Sequence, residues 1–300
     1  MIGSASPTIA SAQSRTSSAR QPKWTIWHTL GILLALIATS IAGWFIPSRL
    51  VSWLVILLLL IVFIAIAANG VTGNWRGALI DNRNRISLSR FQMLLWTILI
   101  LSAYLAATLA NMKAIPNLAV ASNLFSITIP SGLWILMGIA TTSLVAAPLV
   151  LSTKTSQAPN QDQKDNTLKL LANQHMDTSD ANMLDSGQII AYATSDNARW
   201  ADLFTGEEVG NAAQFDLSKI QMFYFTFILV LIYGIALATI FAGTAPTIKA
   251  FPDIDPGILT LLGISHAGYL TSKAVPHSQI PSNQSSANQD SSNQNTNSAS

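Results

Sequence analysis

Six stretches of the chain run without a single Asp, Glu, Lys or Arg, at residues 24–48, 50–74, 91–112, 114–153, 220–248 and 256–272. A bilayer core of ~30 Å is crossed by about 20 apolar residues in helical form. The first five stretches meet that length, the fourth as a polar-tinted loop followed by one span near residues 132–151. The sixth holds only 17 residues and includes His266. The pattern predicts an all-α polytopic membrane bundle of about six transmembrane helices. Pro47-Ser48-Arg49 separates the first two stretches, and proline does not continue a helix easily, so these form a hairpin. Arg49 is expected to reach the lipid headgroups. Trp24, Trp27, Trp44 and Trp53 fall near span ends, where an amphipathic ring prefers the interface.

The chain also repeats itself. Leu88-Ser89-Arg90-Phe91-Gln92-Met93 opens a run that carries Thr97 and Tyr104, and Leu217-Ser218-Lys219-Ile220-Gln221-Met222 opens one that carries Thr226 and Tyr233 at the same offsets. Six of 17 aligned residues are identical. Four of the six are Ser, Gln, Thr and Tyr, which apolar composition alone would not align. Farther on, Ile129, Gly132, Leu136, Gly138 and Ile139 match Ile254, Gly257, Leu261, Gly263 and Ile264. Each unit is therefore a helix, a loop and a glycine-bearing helix. The match also raises the short sixth stretch to a span. Two spans per unit bring both copies in from the same side, which makes an internal parallel two-helix repeat and not an inverted one.

Helical spacing places Met93, Thr97 and Tyr104 on one stripe, repeated by Met222, Thr226 and Tyr233. Gln92 lies on a neighbouring stripe, as does Gln221. Gly138 and Gly263 each have a small residue four positions on, a spacing that lets helix backbones approach closely. Two readings follow for these positions. They hold helices together through hydrogen bonds typically worth under ~2 kcal/mol each, the favoured reading, or they line a narrow polar path.

Asp81-Asn82-Arg83-Asn84-Arg85, the Leu88–Met93 string with Trp96-Thr97, Gly206-Glu207-Glu208-Val209-Gly210-Asn211 and Leu262-Gly263-Ile264-Ser265 together give the chain a likeness. Over about residues 70–275 it resembles a family of bacterial multi-pass membrane proteins with no assigned activity. The resemblance implies a bacterial inner membrane and carries over no catalytic or binding residue.

Charge refines the layout. Only 10% of residues are charged, against about 25% in a typical soluble domain. With the N-terminus in the cytoplasm, six spans put 13 of the 16 Lys and Arg residues on that side, in accord with the positive-inside rule. The expected organisation is a disordered N-terminal tail at 1–22 and a transmembrane hairpin at 23–74. An interfacial segment with the first repeat unit follows at 75–151. A cytoplasmic insert occupies 152–216, the second repeat unit 217–273, and a disordered Ser/Asn/Gln-rich tail 274–300. A cleaved signal peptide is not expected, because the polar lead is long and the first apolar run exceeds the usual 7–15-residue signal core. The basic segment from Arg76 to Arg90 is expected to meet anionic headgroups and not nucleic acid.

The insert reads in two halves. To about Asp180 it is polar and expected to be mobile. Beyond that, Trp200, Leu203 and Phe204 share one helical face, expected to lie on the membrane or the bundle, or to dock a cytoplasmic protein through residues 185–216. Ser87 or Ser89 is expected to cap the third span, and Asp253 and Asp255 the sixth.

Chemistry is sparse. There is no cysteine, so disulfides, thiolate metal sites and cysteine nucleophiles are excluded. No phosphate-cradling glycine loop, serine-hydrolase elbow, zinc-protease helix or calcium loop occurs. No Asp or Glu lies within a span, which weighs against a proton- or cation-coupled carrier. His28 and His266 are the ionisable residues inside spans, read first as satisfied packing groups and then as a proton relay or haem ligands. His175 and His277 stand alone. No cofactor or metal is expected. The expectation is a non-enzymatic membrane scaffold or regulatory protein, self-associating within the bilayer, with a small channel or permease as the alternative.

Overall fold

The computed structural model describes residues 24–114, 126–176, 178–179 and 183–278. The expectations for the tail at 1–22, and for residues beyond 278, lie outside these.

The described residues form seven α-helices: α1 (Ile26–Phe45), α2 (Arg49–Thr72), α3 (Leu88–Ala114), α4 (Ser131–Ser152), α5 (Gln161–Asn173), α6 (Leu217–Ala242) and α7 (Pro256–Ala274). An antiparallel ribbon, β1 (Met183–Ser186) and β2 (Ile189–Tyr192), lies between α5 and α6. The fold is all-α apart from this ribbon. Helices α1, α2, α3, α4 and α6 are each long and apolar enough to cross a membrane. Their outward side chains, such as Leu34 on α1 and Ile228, Leu231 and Ile235 on α6, are exposed. That apolar exterior is the mark of a multi-pass membrane protein.

Helix ends follow local chemistry. Ser48 accepts from Val51 N at the start of α2, and Asp216 from the amides of Ser218 and Lys219 at the start of α6. Asp255 accepts from Gly257 N, with Pro256 in the first turn of α7. A side-chain acceptor at this position satisfies first-turn amides that have no partner in the helix. Asp253 bonds its neighbour Ile254 N. Ser89 contacts the Tyr269 hydroxyl.

Both helix pairs begin in the register of the sequence match. Leu88 and Leu217 are the first residues of α3 and α6, and Gly132 and Gly257 the second residues of α4 and α7. Helices α3 and α6 run side by side in the same direction: Gln92 bonds Thr226 near one end, and Asn111 exchanges two hydrogen bonds with Ile248 beyond the other. Helices α4 and α7 do likewise. Gly132 faces Ile254, Ser143 bonds His266 midway, and Lys154 bonds the last-turn carbonyl of Lys273. Although α7 is shorter and more polar than its neighbours, it therefore traverses the bundle from end to end; its 19 residues span ~28 Å. The two loop segments meet through a parallel bridge, Thr128 with Ala250.

The core lies between α2, α3, α4, α6 and α7. Trp53 stacks on Phe241 at 5.1 Å and donates to Ser102 Oγ. It is therefore a core residue and not an interfacial anchor, because the bundle supplies both an aromatic face and an acceptor for its N–H. Trp24, Trp27 and Trp44 are exposed. Arg49, expected at the headgroups, donates instead to the carbonyls of Ala245 and Pro246 and ties the hairpin turn to the α6–α7 loop.

Candidate functional site

One end of the bundle, termed here the insert face, gathers the segment 75–87, the insert and the residues after α7. The insert is folded against it. Its first half carries α5, with Thr167 and Leu171 buried and the Thr167 hydroxyl bonded to Val209 O. The expected mobile segment is thus an amphipathic helix docked on the rest of the insert. The chain after α7 is held as well. Val275 O accepts from Lys154, His277 N donates to Glu208 Oε2, and Ser278 Oγ accepts from Gly210 N. The tail predicted from 274 therefore begins no earlier than 279, and His277 has a carboxylate partner.

The centre of this face is a buried charge cluster. Arg83, Arg85, Lys154, Lys219 and Lys273 meet Asp81, Asp202, Glu207 and Glu208. Glu207 is the hub: Oε1 accepts from Arg83 (3.3 Å) and Lys219 (3.0 Å), and Oε2 from Lys273. Three parts of the fold, the 81–85 turn, the start of α6 and the end of α7, thus converge on one carboxylate. Burial alone would raise its pKa, but Arg83, Lys219, Lys273 and Arg85 outweigh that and hold it well below the usual carboxylate range. Arg83 in turn is held protonated against its desolvation by Glu207 and Asp81.

Two of the three buried lysines, Lys219 and Lys154, are saturated donors. Lys219 Nζ gives to Glu207, Asp202 O and Thr205 O. Lys154 Nζ gives to Glu208 Oε1 at 2.5 Å, Lys273 O at 2.5 Å and Val275 O at 2.8 Å, neutralising the carbonyl end of α7. Asp202 receives the Tyr192 hydroxyl at 2.8 Å, Arg85 Nη2 and the amides of Arg199 and Ile86. Arg85 also lies over the Tyr192 ring.

The string Gly206–Asn211 shapes the hub. A Cβ on Gly206 would fall 2.1 Å from Asn211 Oδ1, and one on Gly210 would fall 2.0 Å from His277 O. Only glycine permits those approaches. The Asn211 amide oxygen closes the turn on Glu208 N. Asn84 holds φ at 58° and donates to Tyr192 O, pinning the arginine turn to β2.

Beside the cluster lies a cavity of about 830 Å³ between α3, α4, the 78–87 segment and the ribbon. Arg83, Arg90, Lys273 and Asp81 line its polar part; Met93, Leu94, Leu144, Pro148 and Leu151 line its apolar part. A second, apolar cavity of about 310 Å³ lies farther along the α3–α4 seam, bordered by Thr97, Tyr104, Leu133, Trp134 and Met137. Thr97 borders both.

The other predicted positions disperse. Gln92 is buried, giving to Met222 O and Thr226 Oγ1. Gln221 is exposed. Tyr233 is buried and donates to Pro252 O. A Cβ at Gly138 would meet nothing within 4 Å, and at Gly263 only Ile139 at 3.9 Å, so neither glycine mediates a close backbone approach. His266 Nδ1 lies 2.6 Å from Ser143 Oγ, while His28 Nε2 lies 3.1 Å from Asn69 Oδ1, so each histidine is engaged by its own neighbour. Residues 200–203 form a single 3₁₀ turn and not an α-helical face. Leu203 is buried and Phe204 packs edge-on to Phe223, while Trp200 remains 51% exposed. Of the proposed docking trio, Trp200 alone faces outward.

The charge cluster was not read from the sequence as a site. Its signal was present in Asp81–Arg85, dense in charge, and Gly206–Asn211, which joins charge to glycine, two strings far apart in the chain. Among the described residues no three His, Asp or Glu side chains are grouped to hold a metal ion. A scan against protein-family models, a search of curated proteins and a search of solved structures each returned no match to this chain.

Proposed function

We propose that this chain is a non-enzymatic membrane scaffold or regulatory protein. It lies in a bacterial inner membrane with the insert face and both termini in the cytoplasm. The observation that carries this reading is the construction around Glu207. One carboxylate fastens the 81–85 turn, α6 and α7 to the insert, so the insert is a fixed platform and not a tethered loop. The basic residues gathered on that face support the cytoplasmic orientation. Trp200 is an exposed aromatic, with Phe215, that the platform presents to a protein partner.

A channel is the weaker reading. Thr226 and Tyr233 are buried in helix and loop contacts. Thr97 and Tyr104 border a seam whose lining includes the exposed Leu101 and Trp134, toward lipid. The chain has no native cysteine, so single cysteines at 97, 104, 226 and 233 give a direct test. With an impermeant thiol reagent, 226 and 233 should stay unlabelled, and liposomes carrying the protein should show no solute flux. Labelling at 226 and 233 together with flux would replace the scaffold by a channel. A partner captured from cytoplasm by wild type, and lost with Trp200→Ala, would support the platform.

A further inference from the structure

The charge-lined cavity has a feature that the cluster does not use. Arg90, on its lining, is exposed and makes no hydrogen bond or ion pair among the described residues. Arg83, also on the lining, leaves Nη1 buried without a partner. An unpaired buried guanidinium N–H costs free energy until an acceptor arrives. Among the described residues, the single carboxylate on the lining, Asp81, is already engaged by Arg83. The polar end therefore has unspent donors and a positive excess, which favours an anion with several acceptor oxygens.

The remaining lining says what else that anion carries. The apolar walls belong to α3 and α4, both long and apolar enough to cross a membrane. From Arg90 through the shared border at Thr97 to Tyr104, the two cavities follow α3 for ~21 Å. One leaflet contributes ~15 Å of a ~30 Å hydrocarbon core, so this length holds an acyl chain. The larger volume also falls in the usual ligand range of ~300–1,000 Å³. Ser186, Ile189 and Ala191 from the ribbon wall the polar end, so a headgroup there would lie beneath the insert and not on an open surface.

We propose that this seam is a binding site for an anionic phospholipid of the adjacent leaflet. Its phosphate lies between Arg83 and Arg90, and one acyl chain runs along α3 and α4. The contact is a defined site, distinct from general attraction of the basic segment to the membrane surface, and it stands whether or not the chain is a scaffold.

Native mass spectrometry of the full chain in detergent tests it. Titrants are phosphatidylglycerol, chain-matched phosphatidylcholine and water-soluble glycerol 3-phosphate. Phosphatidylglycerol should bind at least ten-fold more tightly than phosphatidylcholine, and glycerol 3-phosphate should not bind. Arg90→Gln should weaken phosphatidylglycerol about ten-fold, Thr97→Trp should weaken it by filling the seam, and Lys249→Gln on the opposite face should not. Equal binding of the two lipids overturns the site, as does indifference to both Arg90→Gln and Thr97→Trp. Binding of glycerol 3-phosphate as tight as the lipid would make the site one for a soluble phosphate and overturn the lipid assignment.

Discussion

Helices α3 and α6 start from nearly the same string, yet their matched residues meet different surroundings. Gln92 is buried where Gln221 is exposed, and Arg90 is exposed where Lys219 is buried. Thr226 lies beneath Gln92, while Thr97 borders the α3–α4 cavities. The string sets where each helix begins and how it runs. What covers the helix decides the fate of each polar group. The α1–α2 hairpin lies against α3, whereas the insert folds over the first turn of α6 and surrounds Lys219 with three acceptors. The same basic position is thus a structural strut in one helix and an unspent donor in the other.

The sharpest way to break this contrast is at the hub. Glu207→Gln leaves Lys219, Lys273 and Arg83 buried without their shared carboxylate. Removing one partner from a buried ion pair typically costs about 3–5 kcal/mol. Unfolding in mixed micelles should show a loss of that size, and limited proteolysis should cut the insert in the variant before it cuts wild type. The same group sets an acid limit. Its folded pKa lies below the ordinary 4.5, so its contribution is complete above that value and is lost as pH falls through the depressed one. The stability gap between wild type and Glu207→Gln should be open at about pH 5 and close as pH falls further.

The basic pair is the next test. Lys219→Met deprives Glu207 and two carbonyls of a donor and should cost about 3 kcal/mol by the same micelle titration. Arg90→Met should stay within about 0.5 kcal/mol, as for an exposed group without partners. Equal costs would mean that the two positions are held alike.

These expectations also show what was legible beforehand. The spans could be read because a bilayer demands long uncharged runs, and Pro47 and Asp255 mark helix ends by local chemistry alone. The sixth helix was legible only through its likeness to α4. The charge cluster was not, because each member is an ordinary surface residue within its own segment. Glu207 becomes a hub only when Arg83, Lys219 and Lys273 arrive from segments far apart in the chain. Trp200, Leu203 and Phe204 were misread for a related reason: α-helical spacing was assumed where the chain takes a 3₁₀ turn, which rotates side chains differently. Trp53 was assigned to the interface from its distance along the span, and its actual partners, Phe241 and Ser102, come from other helices.

A smaller effect sharpens the helix comparison. Gln92→Leu removes two hydrogen bonds across the α3–α6 contact and leaves Thr226 to bond its own helix. Interhelical polar contacts in membranes are typically worth about 0.6 kcal/mol and rarely more than about 1.7. The same substitution at the exposed Gln221 should register as no change. A large effect at 221 would imply that a second copy of the chain covers that face, which crosslinking through a cysteine at 221 would reveal.

The smallest predicted effects concern the matched glycines. Gly138→Ala and Gly263→Ala should be neutral or stabilising by about 0.5–1 kcal/mol, since alanine restricts the unfolded chain and strengthens a helix where a Cβ has room. Gly132→Ala should behave in the opposite sense. Its Cβ would lie 2.8 Å from Asp253 Oδ1 and 3.2 Å from Ile254 O, in the contact that seats α7 against the start of α4. The aspartate side chain can yield, but the backbone carbonyl cannot without shifting the loop before α7. Measured side by side, the three alanines separate glycines that hold helices together from glycines that merely recur. Destabilisation at 138 would show that these helices come closer in the membrane than they do in this structure.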